Sequence, residues 1–137
     1  MENINNILYQ MIQENNSFYK NVITPIIDDN KALYIVDNNR KKIYWSTKCE
    51  EITGYSKEEI VNKRCYDSLL SHKTLDDEPL CNSFCPLIST MYDSKVRHHI
   101  VTFLHKNKKR YKIDVTTYPI YDGNVIIGCY EVFYLID

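Results

Sequence analysis

Four side chains carry the chemistry this sequence can most readily supply: Cys65, His72, Cys81 and Cys85. Together they offer thiolates and an imidazole, a complete tetrahedral set for zinc and a possible ligand set for an iron–sulfur cluster. Successive members stand seven, nine and four residues apart, and only the last interval resembles a tight chelating pair. The same residues permit a reversible disulfide of Cys81 with Cys85 or Cys65, and they also permit plain structural cysteines, so the spacing leaves three readings open. Cys85 directly precedes Pro86, a residue suited to the first position of a helix because its missing N–H costs nothing there. Such a helix aims its amide groups and positive dipole end at the sulfur, which lowers a thiol pKa and favours metal binding and redox attack alike. The blander reading is that Cys85 simply stands at the cap.

Other chemistry is thinner. His72, His98, His99 and His105 could ligate a haem iron, but there is no Cys-x-x-Cys-His attachment run, and on a strand His98 and His99 face opposite sides. Cys65 and His72 could be drawn as a nucleophile pair, yet nothing supplies an orienting third group or an oxyanion site. Gly54, Gly123 and Gly128 are the only glycines, and none is spaced for a phosphate-cradling loop. Asp76, Asp77 and Glu78 read as solvated loop charge, and Lys106, Lys108, Lys109 and Arg110 as a basic turn. Among twelve tyrosines, most of them sheet and core material, Tyr34, Tyr111 and Tyr118 are the candidate polar groups of a pocket. An enzyme is not the expectation.

These residues sit in a chain of 137, long enough for one domain with its own core. Hydrophobic residues make up 44% and charged residues 26%, which rules out disorder as a description of the whole. The net charge of -1 provides no basic field for nucleic acid or an anionic membrane. No apolar run approaches the ~20 residues of a membrane-spanning helix, and the N-terminus lacks a secretory pattern, so a soluble cytoplasmic protein is expected. Five cysteines form an odd set, which argues against a disulfide framework.

The elements that must position the candidates follow from periodicity. Ile4, Ile7, Leu8, Met11, Ile12, Tyr19, Val22 and Ile23 recur at helical spacing and predict an N-terminal amphipathic helix, ended near Pro25. Its stripe could fold back onto the domain or pair with a second chain. Residues 1–27 are therefore read as helix and linker, and 28–137 as the domain proper. Ala32 to Val36 and Lys42 to Trp45 read as a hairpin closed by Asp37, Asn38, Asn39 and Arg40. Ser46 or Thr47 can cap a short helix stopped by Gly54, and Ser56 with Glu59 forms a capping box for a second, Lys57 to Val61. A further turn or two is expected after Cys65 to Leu70, then a polar loop over 71–80, then a helix from Pro86 through Tyr92. Three strands finish the chain: Val96 to His105, Arg110 to Ile120 and Val125 to Leu135. Tyr111, Ile113 and Val115 alternate with Lys112, Asp114 and Thr116, marking a buried and a wet face, whereas the last strand reads as partly covered on both sides. The order describes an α+β domain: a five-stranded antiparallel sheet with short helices gathered on one side.

Four strings in this order resemble the PAS sensor-domain family over about residues 30 to 137: Tyr34-Ile35-Val36-Asp37; Ile43-Tyr44-Trp45; Ile52-Thr53-Gly54-Tyr55-Ser56 with Glu58-Glu59-Ile60; and Tyr118-Pro119-Ile120-Tyr121-Asp122 followed by Ile126-Ile127-Gly128. The resemblance implies a PAS fold, a small-molecule-sized cavity between sheet and helices, and a sensory role. The stretch from Cys65 through Cys81 to Cys85-Pro86-Leu87 is similar to a bacterial subgroup with a Cys-rich insert ending in Cys-Pro-Leu. Such domains often precede a histidine kinase core, a diguanylate cyclase (GGDEF) domain or a transcription-activating module. By that resemblance the chain is an input module of two-component or related signalling. It would be homodimeric through its N-terminal helix or sheet face, and linked to an output domain. A stand-alone interaction module is the alternative. Light-sensing members carry a flavin-reactive cysteine near the place of Cys65, but with Asn before and Arg after it. Arg64 and Tyr66 flank it here, which disfavours flavin. Two further departures are Ser46, where the family commonly has Asn, and Asn107-Lys108, where it has Asp-Gly.

Overall fold

The computed structural model describes residues 22–61, 69–80 and 85–136. The N-terminal helix expected over residues 1 to 23 falls almost wholly outside these, as do Cys65, Cys81 and the turn expected after Cys65. The described strands are β1 (Leu33–Asp37), β2 (Lys42–Trp45), β3 (Arg97–Leu104), β4 (Arg110–Asp122) and β5 (Val125–Leu135). The helices are α1 (Thr47–Thr53), α2 (Lys57–Ile60) and α3 (Pro86–Asp93). The strands form one sheet in the order β2-β1-β5-β4-β3, and every pairing is antiparallel.

Local chemistry explains the punctuation. Asp37 Oδ1 accepts from the amides of Asn39 at 2.8 Å and Lys41 at 3.0 Å, closing the β1–β2 turn. Ser46 Oγ accepts from Cys49 N at 3.1 Å, capping α1, and from Leu33 N at 3.2 Å, tying that cap to β1. Serine thus makes a working cap at the position where the resemblance led to an expectation of Asn. Ser56 Oγ accepts from Glu59 N at 3.2 Å and opens α2. Gly54 ends α1 at φ +79, a backbone conformation that favours glycine, and an added Cβ there would stand 2.8 Å from His105 Cε1 and oblige that side chain to shift. A Cβ on Gly128 would meet the Val36 carbonyl oxygen at 2.3 Å, so the β1–β5 seam closes only over a glycine.

β4 runs on to Asp122, beyond the expected end at Ile120, and carries Pro119 within it. The register explains the tolerance: β3 pairs with β4 only as far as Arg97↔Thr117, so past Thr117 the strand has β5 as its one sheet neighbour. A residue without an N–H fits where one side of the ladder is open.

The sheet is covered on its helix side and partly covered on the other, where β3 stays exposed at His98 and Ile100. On the helix side, Tyr34, Val36, Trp45, Val101, Phe103, Ile113, Val115, Cys129 and Phe133 form the main core with Cys49, Ile60 and Leu87. On the opposite side Ile23, Leu33, Ile35, Tyr44 and Ile120 form a smaller one, with Val22, Ile26 and Ile27 packed against it. The final strand is therefore buried on its helix side at Cys129, Glu131 and Phe133 and half-buried on the other at Tyr130 and Val132, the partial cover on both sides that its mixed pattern suggested.

Candidate functional site

A cavity lies on the helix side of the sheet. Among the described residues its walls are His72, Leu80, Cys85, Pro86, Leu87, His99, Val101, Val115 and Glu131. About 20 Å³ of it is open to the centre of a water molecule, room for one water-sized group or little more.

Three elements bring the polar walls together. The 71–80 loop, polar in sequence, is pinned to the edge strand: Lys73 N donates to Thr102 O at 3.0 Å and Thr102 N to Lys73 O at 2.9 Å. Leu80 N donates to His72 O at 3.1 Å, closing the loop's base. Arg110 Nη2 holds Ser71 through its carbonyl at 2.8 Å and its hydroxyl at 2.9 Å. His72 is thereby fixed at the cavity wall. Desolvation, with Lys42 and Arg110 nearby, pushes its imidazole down to about 4, so it is neutral and able to accept a hydrogen bond or bind a metal.

α3 supplies the second wall. It opens at Pro86 as expected, and Cys85 occupies the cap position without a side-chain bond to the helix amides. The buried Cys85 sulfur borders the cavity beside Pro86 and Leu87. The sheet supplies the third. His99 stands at the rim on β3, its pKa lowered by desolvation and by Arg97 and His98. His98 faces the other way, with Nε2 2.6 Å from Asp114 Oδ1.

Glu131 is the feature that sequence reasoning missed. It lies on β5 in the buried phase between Cys129 and Phe133 and is 5% exposed. Tyr34 donates its hydroxyl to Glu131 Oε2, and Thr117 Oγ1 reaches Oε1 at 3.5 Å. Burial pushes the carboxyl up to about 7, against the stabilising Tyr34 bond and the pull of Lys42. The signal available in the sequence was parity, since Glu131 shares the strand face of two apolar neighbours.

The tyrosines named from sequence separate. Tyr34 is fully buried behind Glu131 in an aromatic cluster, its ring 5.4 Å from Trp45 and 6.4 Å from Phe133. Tyr111 packs at the edge of the main core, 6.0 Å from Phe103 and 5.4 Å from His105. Tyr118 is on the opposite face, stacked on Tyr130 at 4.8 Å, beside a separate groove bordered by Pro25, Lys31 and Tyr134. Of the proposed metal quartet, His72 and Cys85 share the cavity, while Cys65 and Cys81 lie outside the described residues. Among the described residues no three His, Cys, Asp or Glu side chains are grouped to hold a metal ion.

The arrangement presents a carboxyl, two imidazoles and a thiol to a small space with aliphatic walls. Chemically it can recognise a ligand by hydrogen bonding.

Comparison with known proteins bears on this geometry. A family model described as PAS domain matches residues 30–134. No curated protein matches the chain. Among solved structures, the PAS domain of a protein from Colwellia psychrerythraea is 22% identical, with a TM-score of 0.63 over 77% of this chain and 86% of that one. The light-state structure of the blue-light photoreceptor Aureochrome1 LOV is 12% identical, with a TM-score of 0.63 over 78% and 82%. The light-state dimer of the fungal blue-light photoreceptor Vivid is 17% identical, with a TM-score of 0.61 over 79% of each chain. At such identities the likeness is one of fold.

Proposed function

The chain belongs to the PAS domain family of sensory and signalling modules, and on that premise we propose that it is the input domain of a bacterial signal-transduction protein such as a histidine kinase or diguanylate cyclase. It binds a small ligand between sheet and helices and relays occupancy to an output domain, with no catalysis of its own. It works in the cytoplasm as a homodimer, through residues 1–27 or the outer sheet face, and belongs to the subgroup with the Cys-Pro-Leu insert. The light-state dimer of Vivid, a protein of the same fold, supports the dimer.

The observation that carries this reading is the cavity itself, where a buried carboxyl with two hydroxyl partners stands among Leu80, Leu87, Val101 and Val115. A fold selected only for packing gains little from a carboxyl at that place, because burying one costs several kcal/mol unless something compensates (~2–7 for a polar group). The test is a small-molecule screen followed by amide NMR, with Val101, Val115 and Glu131 as reporters. Ligands should shift these signals saturably, and Val115→Trp, which fills the space, should erase the response. If no compound moves them, the competing interaction-module reading takes over. That reading draws support from the outer groove, about 290 Å³, and its stacked Tyr118–Tyr130 pair.

A thiol or metal sensor at Cys65, His72, Cys81 and Cys85 is a second reading, favoured by the shared cavity position of the neutral His72 and Cys85. Metal analysis and absorption spectra of anaerobically purified protein test it. A zinc, iron–sulfur or haem signal that disappears in the Cys81→Ser/Cys85→Ser double variant supports it, and a signal that survives both changes refutes the site.

A further inference from the structure

We propose that the cavity is a receptor site for a small organic ammonium ion, with Glu131 holding the charged head. The inference rests on the ligand-pocket reading above and adds to it the chemistry of the ligand.

An ionised carboxylate only accepts, a neutral imidazole accepts at one nitrogen, and an ammonium group is a donor three times over with no acceptor. The described walls present Glu131, the neutral His72, the weakly basic His99 and Cys85. Within these walls no side chain is a fixed cation. A ligand carboxylate or phosphate would meet Glu131 as a like charge, and a neutral hydroxyl would bring it no countercharge, whereas an ammonium group brings one.

Both oxygens of the Glu131 carboxyl have a hydroxyl beside them. Oε2 accepts from Tyr34, and Oε1 has Thr117 at 3.5 Å, the long limit of a hydrogen bond. Each carboxylate oxygen can accept two bonds, so acceptor capacity remains at Oε1. The groups around Glu131 come from every surrounding element: Tyr34 on β1, Lys42 on β2, Cys49 on α1, His72 in the 71–80 loop, Cys85 before α3, His99 on β3, Thr117 on β4 and Cys129 on β5. Lys42 is the fixed cation in this set, and it is turned to the Tyr34 ring, 5.7 Å from its centre, rather than lining the cavity.

The open space of about 20 Å³ takes a head group the size of water, so the carbon chain of such a ligand leaves the cavity past the exposed His99 at its rim.

The carboxyl, held near 7, makes the proposal testable through pH. A primary amine titrates near ~10 and stays charged across neutrality. Full-length protein is titrated with butylammonium, butanol and butyrate at pH about 6 and about 8, followed by amide NMR. Butylammonium should bind about tenfold more tightly than butanol, reflecting one charge-assisted hydrogen bond. It should also bind up to about tenfold more tightly at the higher pH, because the ionised fraction of Glu131 rises by that factor. Butyrate should bind weakest. Glu131→Gln should reduce the amine to the level of the alcohol and flatten its pH dependence. Should that variant not fold, the wild-type protein still decides: the Glu131 carboxyl signal must titrate at lower pH when butylammonium is bound. Equal binding of amine and alcohol, or an unmoved carboxyl titration, overturns the ammonium assignment while leaving the pocket reading standing. If none of the probes perturbs Val101, Val115 or Glu131, both readings fall.

Discussion

On β5, Tyr130 and Glu131 are neighbours in sequence and face opposite sides of the sheet, and their surroundings share little. Tyr130 is half-buried and stacked on Tyr118, beside the apolar patch of Ile23, Leu33, Ile35, Tyr44 and Ile120. Glu131 is buried beneath the helices, bonded by Tyr34, approached by Thr117, and set at the edge of a cavity with two histidines and a cysteine. The outer patch keeps its polar tips at the margin, as when the Tyr44 hydroxyl donates to Asp29 Oδ1 at 2.6 Å. The inner face takes ionisable groups inside. Strand alternation thus lets one segment serve packing on one side and chemistry on the other, and the two faces should respond differently to pH.

The largest effect tests the packing side. Ile35 is completely buried, so Ile35→Ala should cost about 2–5 kcal/mol, set by how far the patch can collapse. Its neighbours are apolar, so urea denaturation at pH about 5.5 and about 8.5 should show the same loss. A loss that changed with pH would break the division between the faces.

Next comes Glu131→Gln. The carboxyl's pKa is raised by folding, from 4.5 to about 7, so its neutral form is the one the fold favours. Its contribution is complete below 4.5 and is lost as pH rises through about 7. The glutamine variant lacks that loss. It should therefore gain on the wild type by about 3 kcal/mol between pH about 4.5 and about 8, read by denaturation across pH. His72→Gln should show the mirror image at smaller scale. The folded imidazole titrates near 4 against 6.5 when free, so stability is complete above 6.5 and falls with acidification toward 4. The variant should escape that acid loss, about 1–2 kcal/mol given the partial exposure of His72. In the wild type the two groups oppose each other between about 4.5 and 6.5, so its own profile should be flatter than either variant's.

Much of the fold could be read before the structure because its signals are local. Ser46, Ser56, Gly54 and Pro86 mark helix ends through their own backbone chemistry, and those ends stand where the residues placed them. The extension of β4 past Ile120 to Asp122 was less legible, because the open side of the ladder there depends on where β3 stops. Cys85 and His72 could be singled out by side-chain type alone, and both reach the cavity. Glu131 could not. An acidic residue on a strand ordinarily marks a wet face, and its bond to Tyr34 spans 97 residues. Tyr118 is the instructive opposite: it shares parity with Asp114 and Thr116 rather than with Ile113 and Val115, so alternation already assigned it to the outer face.

The smallest effect sharpens the comparison by placing a polar group on the outer face. Tyr44→Phe removes the hydroxyl that donates to Asp29 and leaves the ring in its patch. A single hydrogen bond at a solvent-open margin contributes about 1 kcal/mol, and no cavity opens to enlarge the loss. Burial and the neighbouring Asp29 raise the Tyr44 phenol well above its usual range, so it stays neutral and donating through any pH the folded protein meets. A raised phenol favours the neutral form, whose contribution is complete below the ordinary tyrosine pKa of about 10 and fades only above it. The loss in Tyr44→Phe should therefore be constant from pH about 6 to about 9, the interval over which Glu131→Gln is still gaining before it levels off. If denaturation curves showed the phenylalanine variant shifting with pH in that interval, the outer patch would be coupled to an ionisable group, and the two faces would not be electrically separate.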